Sequence, residues 1–97
     1  MQKIYDVIII GTGSAGLPAG MYASRYQLSN LIIGEMPGGA LATSHMVENY
    51  PGTLSAPGAE IMENFRKHAE KSGSEILAGR VEVVSKLSNN HFSVATG

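Results

Sequence analysis

The 97-residue chain contains no cysteine and no tryptophan. Without cysteine, these residues supply no disulfide scaffold, no thiolate ligand for a metal ion and no thiol nucleophile. Charged residues are also scarce, at 15% against about 25% in an average soluble domain. The formal net charge of −1 predicts no electrostatic attraction to nucleic acid or to an anionic membrane surface.

Long apolar runs are missing as well. The first apolar run, Val7 to Ile10, is short, is preceded by Lys3 and Asp6, and ends at a glycine, which is not the pattern of a secretory signal peptide. No stretch approaches the roughly 20 apolar residues that a membrane-spanning helix requires. We therefore expect a soluble, cytoplasmic protein that binds neither membranes nor nucleic acid.

Glycine is the residue in excess. The chain has 12 glycines, and seven of them lie between Gly11 and Gly39. A low-complexity sequence would spread its glycines along the whole chain. Their clustering predicts instead that the backbone of this segment approaches another group closely, because glycine has no side chain to prevent it.

The first part of the chain predicts a strand, a glycine-rich turn, a helix and a second strand. The β-branched run at residues 4–10 is typical of a parallel strand covered on both faces. A helix is expected over about residues 14–27, and Asn30–Gly34 predicts a second buried strand, with a right-handed crossover between the two. Three alanines with i, i+4 spacing are expected on the helix face that packs on the sheet: Ala15, Ala19 and Ala23.

The second part begins with a segment rich in Gly, Pro, Ser, Thr and Asn, at residues 36–57. A loop of this length inside a compact domain is usually functional. A second helix is expected from about residues 55–57 to residue 72, where Gly73 ends it. Its apolar stripe consists of residues at helical spacing: Ile61, Phe65 and Ala69.

A third strand is expected at residues 75–77, and the alternating segments 81–87 and 92–95 predict a β-hairpin. Residues 1–97 are therefore expected to form one α/β domain with a parallel sheet. Because an open sheet of two or three strands plus a hairpin leaves an edge uncovered, we expect these residues to be the first part of a larger domain.

The turn after the first predicted strand reads Gly-Thr-Gly-Ser-Ala-Gly, the G-x-G-x-x-G pattern in its required context between a strand and a helix. In this motif Gly11 permits the tight turn, Gly13 admits a pyrophosphate, and Gly16 permits close packing of helix and strand. The N–H groups of Ser14, Ala15 and Gly16 are expected to face the phosphates at the positive end of the helix dipole.

An acidic residue follows at the spacing that the motif requires. Glu35 lies nineteen residues after Gly16, just past the second predicted strand. In dinucleotide-binding units, an acid about 20 residues after the glycines binds the ribose hydroxyls. A carboxylate here favours an adenosine ribose with free hydroxyls, as in FAD or NAD, over a 2′-phosphate. The motif thus predicts a dinucleotide without deciding which one.

The segment beyond the second strand is more specific. Residues 38–41 read Gly-Gly-Ala-Leu and residues 47–52 read Val-Glu-Asn-Tyr-Pro-Gly, which closely resembles the GGQL…VENxPG segment of the thioredoxin reductase family. Residues 13–16 are similar to that family's GPAG. The resemblance covers essentially the whole chain. It implies a partial Rossmann-like FAD-binding domain from a flavoprotein that passes electrons from NADPH through FAD to a disulfide.

The resemblance also implies where FAD binds. FAD would lie along the first βαβ unit, with its flavin ring over the long loop. Thr43, Ser44 and Asn49 would supply polar contacts from the loop, and Val81 would offer its backbone to the adenine. The full set of expected FAD-binding residues is Gly11, Gly13, Ser14, Ala15, Gly16, Glu35, Met36, Gly38, Gly39, Ala40, Leu41, Thr43, Ser44, Asn49 and Val81.

The chain departs from the family's pattern at several points. Ala40 stands where the family has a glutamine that hydrogen-bonds the flavin, and Ser14 replaces a proline. There is no Cys-x-x-Cys pair, no second glycine motif for NADPH and no returning segment to complete the FAD domain. We therefore expect this chain alone to be inactive. In the parent protein, thioredoxin or another disulfide protein would be the partner, and a homodimer is one candidate assembly.

Other functions stay open at this point. One is a ferredoxin–NADP reductase of the same build, and another is a stand-alone nucleotide- or partner-binding module without redox chemistry. The three histidines, His45, His68 and His91, are scattered over a loop, a helix and a hairpin, so no metal site is predicted. No nucleophile elbow or Ser–His–acid set is recognisable, so no catalytic residue is predicted within the chain.

Overall fold

The computed structural model describes residues 3–35 and 57–97. The order of elements confirms an α/β fold with a βαβ unit, a parallel sheet and an antiparallel hairpin. The elements, in chain order, are β1 (Val7–Ile10), α1 (Gly16–Arg25), β2 (Asn30–Gly34), α2 (Gly58–Ser72), β3 (Glu75–Ala78), β4 (Val81–Lys86), a short 3-10 helix (Ser88–Asn90) and β5 (Phe92–Thr96). Neither α1 nor α2 is long and apolar enough to cross a membrane.

Strand β2 lies between its two partners in the parallel sheet. It pairs with β1, where Ile9 is opposite Ile32, and with β3, where Ile32 is opposite Ile76. Because both pairings are parallel, the carboxyl ends of all three strands lie at the same edge of the sheet. Loops at this edge are where open α/β sheets bind their ligands.

The core lies between this sheet and the two helices. Leu17 of α1, Ile32 of β2 and Ala69 of α2 are buried together, with at most 1% of each residue exposed. Ile9 and Ile76, which flank Ile32 in the register, pack against this cluster. The predicted stripe of α2 is confirmed, since Ile61 and Ala69 are buried and Phe65 packs against the core.

The predicted packing face of α1 is wrong. Ala15 and Ala19 are exposed and Ala23 is only half-buried, whereas Leu17 and Gly20 are buried. The helix is also shorter than predicted, because it starts at the third glycine of the motif and ends at Arg25. The alanine spacing indicated a helix correctly, but a helix with small residues on several sides does not reveal which side is buried.

Gly20 is the residue that brings α1 close to the sheet. A Cβ atom at this position would meet the side chain of Ile32 and lie 2.8 Å from Ser74 Oγ. If alanines faced the sheet instead, their methyl groups would keep α1 farther from β2 than Gly20 does. The glycine's loss of helix propensity, about 1 kcal/mol relative to alanine, is offset by this closer packing.

The prediction that the first strand is covered on both faces is also wrong for the described residues. The strand begins at Val7 rather than at residue 4, and Ile4 and Ile10 are 77% and 56% exposed. The second strand is buried as predicted, with Asn30, Ile32 and Ile33 all buried. The difference arises because β2 has a partner strand on each side, whereas β1 lies at the edge of the described sheet.

The remaining element boundaries shift by only one to three residues. Helix α2 begins at Gly58 after Pro57, and Gly73 ends it with a φ of 124°. The predicted start at residues 55 and 56 lies outside the described residues. The hairpin is confirmed, with Val84 opposite Val94 and a bulge between Val81 and Val83.

Polar side chains join the elements at the amino-terminal edge of the sheet. The buried Asn30 donates through Nδ2 to Ser24 Oγ at 2.9 Å and to the carbonyl of Leu28 at 3.1 Å. Ser24 Oγ lies 3.3 Å from Ser74 Oγ. These bonds connect the end of α1, the start of β2 and the residue before β3.

A charged cluster lies near the same edge. The Glu75 carboxylate accepts hydrogen bonds from the Lys3 ammonium and, at 2.5 Å, from the Tyr5 hydroxyl. The hydrogen bond from Lys3, followed by that from Tyr5, lowers the pKa of Glu75. The cluster therefore connects the segment before β1 to the first residue of β3.

Acidification should weaken this connection. The folded-state pKa of Glu75 is below its ordinary value, so its stabilising contribution is complete above that value and is lost as the pH falls through the folded pKa. The substitution Lys3→Met should raise the Glu75 pKa toward the ordinary value, as measured by NMR titration of its carboxyl. Lys86→Met, on β4, is the control and should leave that pKa unchanged. An unchanged Glu75 pKa in the Lys3 variant would contradict the assignment.

The position of the core can be tested with two leucine-to-alanine substitutions. Leu17 is 1% exposed within the core, whereas Leu77 is 43% exposed and, by strand alternation from Ile76, lies on the other face of the sheet. Leu17→Ala should lower the free energy of unfolding by about 2–5 kcal/mol, and Leu77→Ala by roughly half as much or less. Urea unfolding measures both values. Equal losses would show that the core is wrongly placed.

Candidate functional site

The glycine turn, residues 11–16, leaves the sheet directly beside the end of β2. The N–H of Gly11 donates to the carbonyl of Ile33 at 2.7 Å. Gly11 has a φ of 121°, a backbone conformation that residues with a Cβ atom rarely adopt. The first glycine of the motif therefore has the conformational role that the sequence predicted for it.

The third glycine of the motif packs closely against the first. A Cβ on Gly16 would overlap the carbonyl oxygen of Gly11 and lie 3.5 Å from Ile9 Cγ2. No side chain fits at this position without displacing the turn. This is the close approach between the helix and the strand that the motif predicted at Gly16.

Within the described residues, the start of α1 presents backbone donors without acceptors. Ala15 precedes the first helical residue, no side chain caps the helix, and Pro18 has no N–H. Among residues 3–35 and 57–97, no acceptor is found for the N–H groups of Ser14, Ala15 and Gly16. Ser14 and Ala15 are exposed. Unpaired donors at the positive end of a helix dipole form a site for an anion such as a phosphate.

Glu35 lies at the same edge as these donors. It follows Gly34, the last residue of β2, and is exposed. A Cβ on Gly34 would lie 2.8 Å from the backbone nitrogen of Thr12, so the end of β2 touches the glycine turn. The structure thus brings together the two parts of the motif that the sequence placed nineteen residues apart.

The connection between β3 and β4 also passes this edge. The N–H of Gly79 donates to the carbonyl of Gly34 at 2.9 Å, and the half-buried Val81 follows two residues later at the start of β4. Val81 therefore lies two residues after the glycine that is hydrogen-bonded to the end of β2. The other predicted site residues lie outside the described residues: Met36, Gly38, Gly39, Ala40, Leu41, Thr43, Ser44 and Asn49.

The sequence pattern indicated no role for Thr12 or Gly34, and the structure places both where β2 meets the glycine turn. Thr12 is only 4% exposed and contacts the end of β2. The one signal in the sequence is that β2 ends in a glycine immediately before the acidic residue. His91, by contrast, makes a local contact, with Nδ1 2.9 Å from the carbonyl oxygen of Asn89. Within the described ranges, no group of three or more His, Asp or Glu side chains could hold a metal ion.

Three features of the described residues are those by which dinucleotide-binding α/β units are recognised: the glycine turn, the N–H groups that have no acceptor in this part of the chain, and the acid after the next parallel strand. Residues 5–97 match the family model described as pyridine nucleotide-disulphide oxidoreductase. The chain belongs to this family.

Known relatives agree with the resemblance found in the sequence. The chain is 48% identical over 84 residues to the thioredoxin reductase of Bacillus subtilis, covering 86% of this chain and 27% of that protein. It is 46% identical over 99 residues to the thioredoxin reductase of Rickettsia bellii, covering 100% of this chain and 32% of the relative. The crystal structure of Lactococcus lactis thioredoxin reductase has a TM-score of 0.90 at 32% identity, covering 96% of this chain and 31% of that one. The chain spans less than a third of the length of each of these proteins.

The backbone conformation of the turn can be tested with two glycine-to-alanine substitutions. Gly11→Ala should lower the free energy of unfolding by about 1–3 kcal/mol, because alanine is strained at this φ. Gly79→Ala is the matched control: its φ is unexceptional and its Cβ would meet nothing within 4 Å, so stability should stay within about 1 kcal/mol of the wild type. Urea unfolding compares the two, and an equal effect would contradict the turn geometry.

Proposed function

We propose that these residues bind the adenosine and pyrophosphate part of FAD, in a protein that transfers electrons from NADPH to a disulfide. The observation that carries the proposal is the position of three N–H groups at the start of α1, which have no acceptor among residues 3–35 and 57–97 and lie at the same edge as Glu35. Hydrogen-bond donors suit the pyrophosphate, and a carboxylate suits the ribose hydroxyls. The described residues therefore fit this part of FAD.

The choice of ligand follows from charge. A pyrophosphate is anionic, and the backbone donors of Ser14, Ala15 and Gly16 can bind it at the positive end of the dipole of α1 without a lysine or arginine. The Glu35 carboxylate would accept hydrogen bonds from ribose hydroxyls and repel a 2′-phosphate. FAD is favoured over NAD because residues 38–52 resemble the flavin-binding loop of the thioredoxin reductase family.

The other predicted contacts complete this proposal. Val81 would offer its backbone to the adenine, and Thr43, Ser44 and Asn49 would contact the flavin and ribityl chain from the loop. Ala40, which replaces a glutamine of the family, would leave one flavin contact unmade. Residues 1–97 would thus form a single partial FAD-binding domain.

The activity of the whole protein is a further part of the proposal. Bound flavin would supply the two-electron chemistry by which NADPH reduces a disulfide. These residues contain no cysteine, so the dithiol of such a reaction would have to come from elsewhere. We therefore propose that this chain holds the cofactor without turning over by itself. Because its relatives are named thioredoxin reductases, the proposed partner of the parent is thioredoxin or another disulfide protein.

Titration of the purified chain with FAD, followed by flavin fluorescence, tests the binding proposal. Saturable binding is expected, and ADP should compete for the site, because ADP contains the groups that the described residues would contact. Riboflavin, which lacks them, should not compete. Glu35→Gln should weaken FAD binding about 5–10-fold, since it keeps a hydrogen-bond acceptor but removes the charge.

Controls make the outcome of this titration decisive. Glu70→Gln also removes one negative charge, but Glu70 lies near the carboxyl end of α2, from which the chain enters the amino-terminal edge of the sheet. This variant should therefore leave FAD affinity unchanged. Gly13→Val should abolish binding, because the second glycine of the motif admits the pyrophosphate. Preference for NAD over FAD, or the absence of saturable FAD binding, would overturn the proposal.

A further inference from the structure

The end of β2 and the glycine turn touch at one point, between Gly34 and Thr12. A Cβ on Gly34 would meet Thr12 Oγ1, and it would lie 2.8 Å from both Thr12 Cγ2 and the Thr12 backbone nitrogen. Real Cβ atoms essentially never approach other atoms more closely than 3.0 Å. Because one of the three atoms belongs to the backbone, a change of side-chain rotamer at Thr12 would not make room.

Gly34 itself has little freedom to move away. The preceding carbonyl, that of Ile33, accepts a hydrogen bond from Gly11 at 2.7 Å, and Ile33 is only 2% exposed. The carbonyl of Gly34 accepts a hydrogen bond from Gly79 at 2.9 Å on its other side. A side chain at position 34 would therefore displace the glycine turn rather than the central strand.

We propose that Gly34 is a positioning residue that sets the separation between the phosphate-binding turn and Glu35. This inference rests on the function proposed above. In an adenosine diphosphate group, the ribose and the pyrophosphate are joined covalently, so the distance between their binding groups can vary only within narrow limits. If the turn shifts by about 1 Å, the backbone donors and the Glu35 carboxylate can no longer contact one ligand in good geometry.

The binding test uses ADP and FAD with paired variants of the full chain. Gly34→Ala should weaken binding of both ligands by about tenfold or more, because both contain the adenosine diphosphate group. Gly79→Ala is the matched control: it lies at the same edge and hydrogen-bonds to Gly34, but its Cβ would meet nothing within 4 Å. It should bind both ligands like the wild type. Wild-type affinity in Gly34→Ala would overturn the inference.

A double variant separates positioning from general damage. Thr12→Ala removes two of the three atoms nearest to a Cβ at Gly34, the side-chain atoms Oγ1 and Cγ2, while the backbone nitrogen stays at 2.8 Å. Thr12→Ala/Gly34→Ala should therefore bind ADP more tightly than Gly34→Ala alone, although more weakly than Thr12→Ala. If the losses of the two single variants simply multiply in the double variant, the contact does not control binding, and the inference fails.

Failure of the single variant to fold would not end the test. In the double variant, the new Cβ at position 34 no longer meets the threonine side chain, so this variant is less strained than Gly34→Ala. It must bind ADP more weakly than Thr12→Ala for the inference to stand. Equal ADP affinities for these two variants would overturn it.

A ligand-free readout distinguishes this inference from the proposed function. Amide NMR spectra of Gly34→Ala should show shifted resonances for the glycine turn, while those around Glu75, at the opposite edge, stay in place. Gly79→Ala should leave the resonances of the turn unchanged. If the wild type binds neither FAD nor ADP, the proposed function fails, but these spectra still decide whether Gly34 positions the turn. An unshifted turn in Gly34→Ala would overturn the inference by itself.

Discussion

The parallel pairing of β2 with a neighbour on each side is the constraint on which the site depends. Parallel strands cannot be joined by a tight hairpin, so the chain between β1 and β2 must cross over through α1. That crossover places the amino end of α1 directly after the carboxyl end of β1, at the edge where β2 also ends. The topology therefore places the backbone donors and Glu35 at the same edge of the sheet.

The two edges of the sheet use polar groups in opposite ways. At the amino-terminal edge, side chains hydrogen-bond to one another: Asn30 Nδ2 donates to Ser24 Oγ, and the Glu75 carboxylate accepts from Lys3 and Tyr5. At the carboxyl-terminal edge, close backbone contacts hold the turn in place, and the N–H groups at the start of α1 have no acceptor in the described part of the chain. The side-chain hydrogen bonds named above thus lie at the edge away from the site.

Sequence patterns predicted where the helices and strands lie better than they predicted which faces of them are buried. β-branched runs located β1 and β2, and helical spacing located the buried stripe of α2, because these signals are local. The burial of β1 was misjudged, since an apolar run does not reveal whether a strand lies at an edge. The packing side of α1 was misjudged because small residues recur at i, i+4 on more than one side. The contact between Thr12 and Gly34 joins residues that only the parallel register brings together.

The glycine motif indicates only a class of protein, whereas the segment at residues 38–52 indicates a family, and the difference lies in which groups contact the ligand. The donors of the turn are backbone N–H groups, which every sequence possesses. The motif therefore indicates that an anion binds close to the backbone, but it does not indicate which dinucleotide carries that anion. Discrimination must come from side chains beyond the turn. Glu35 would distinguish a free ribose from a 2′-phosphate by charge, and the loop at residues 38–52 would have to recognise the flavin ring. Specificity for FAD would therefore come from the segment where this sequence most closely resembles the thioredoxin reductases, and where Ala40 departs from them.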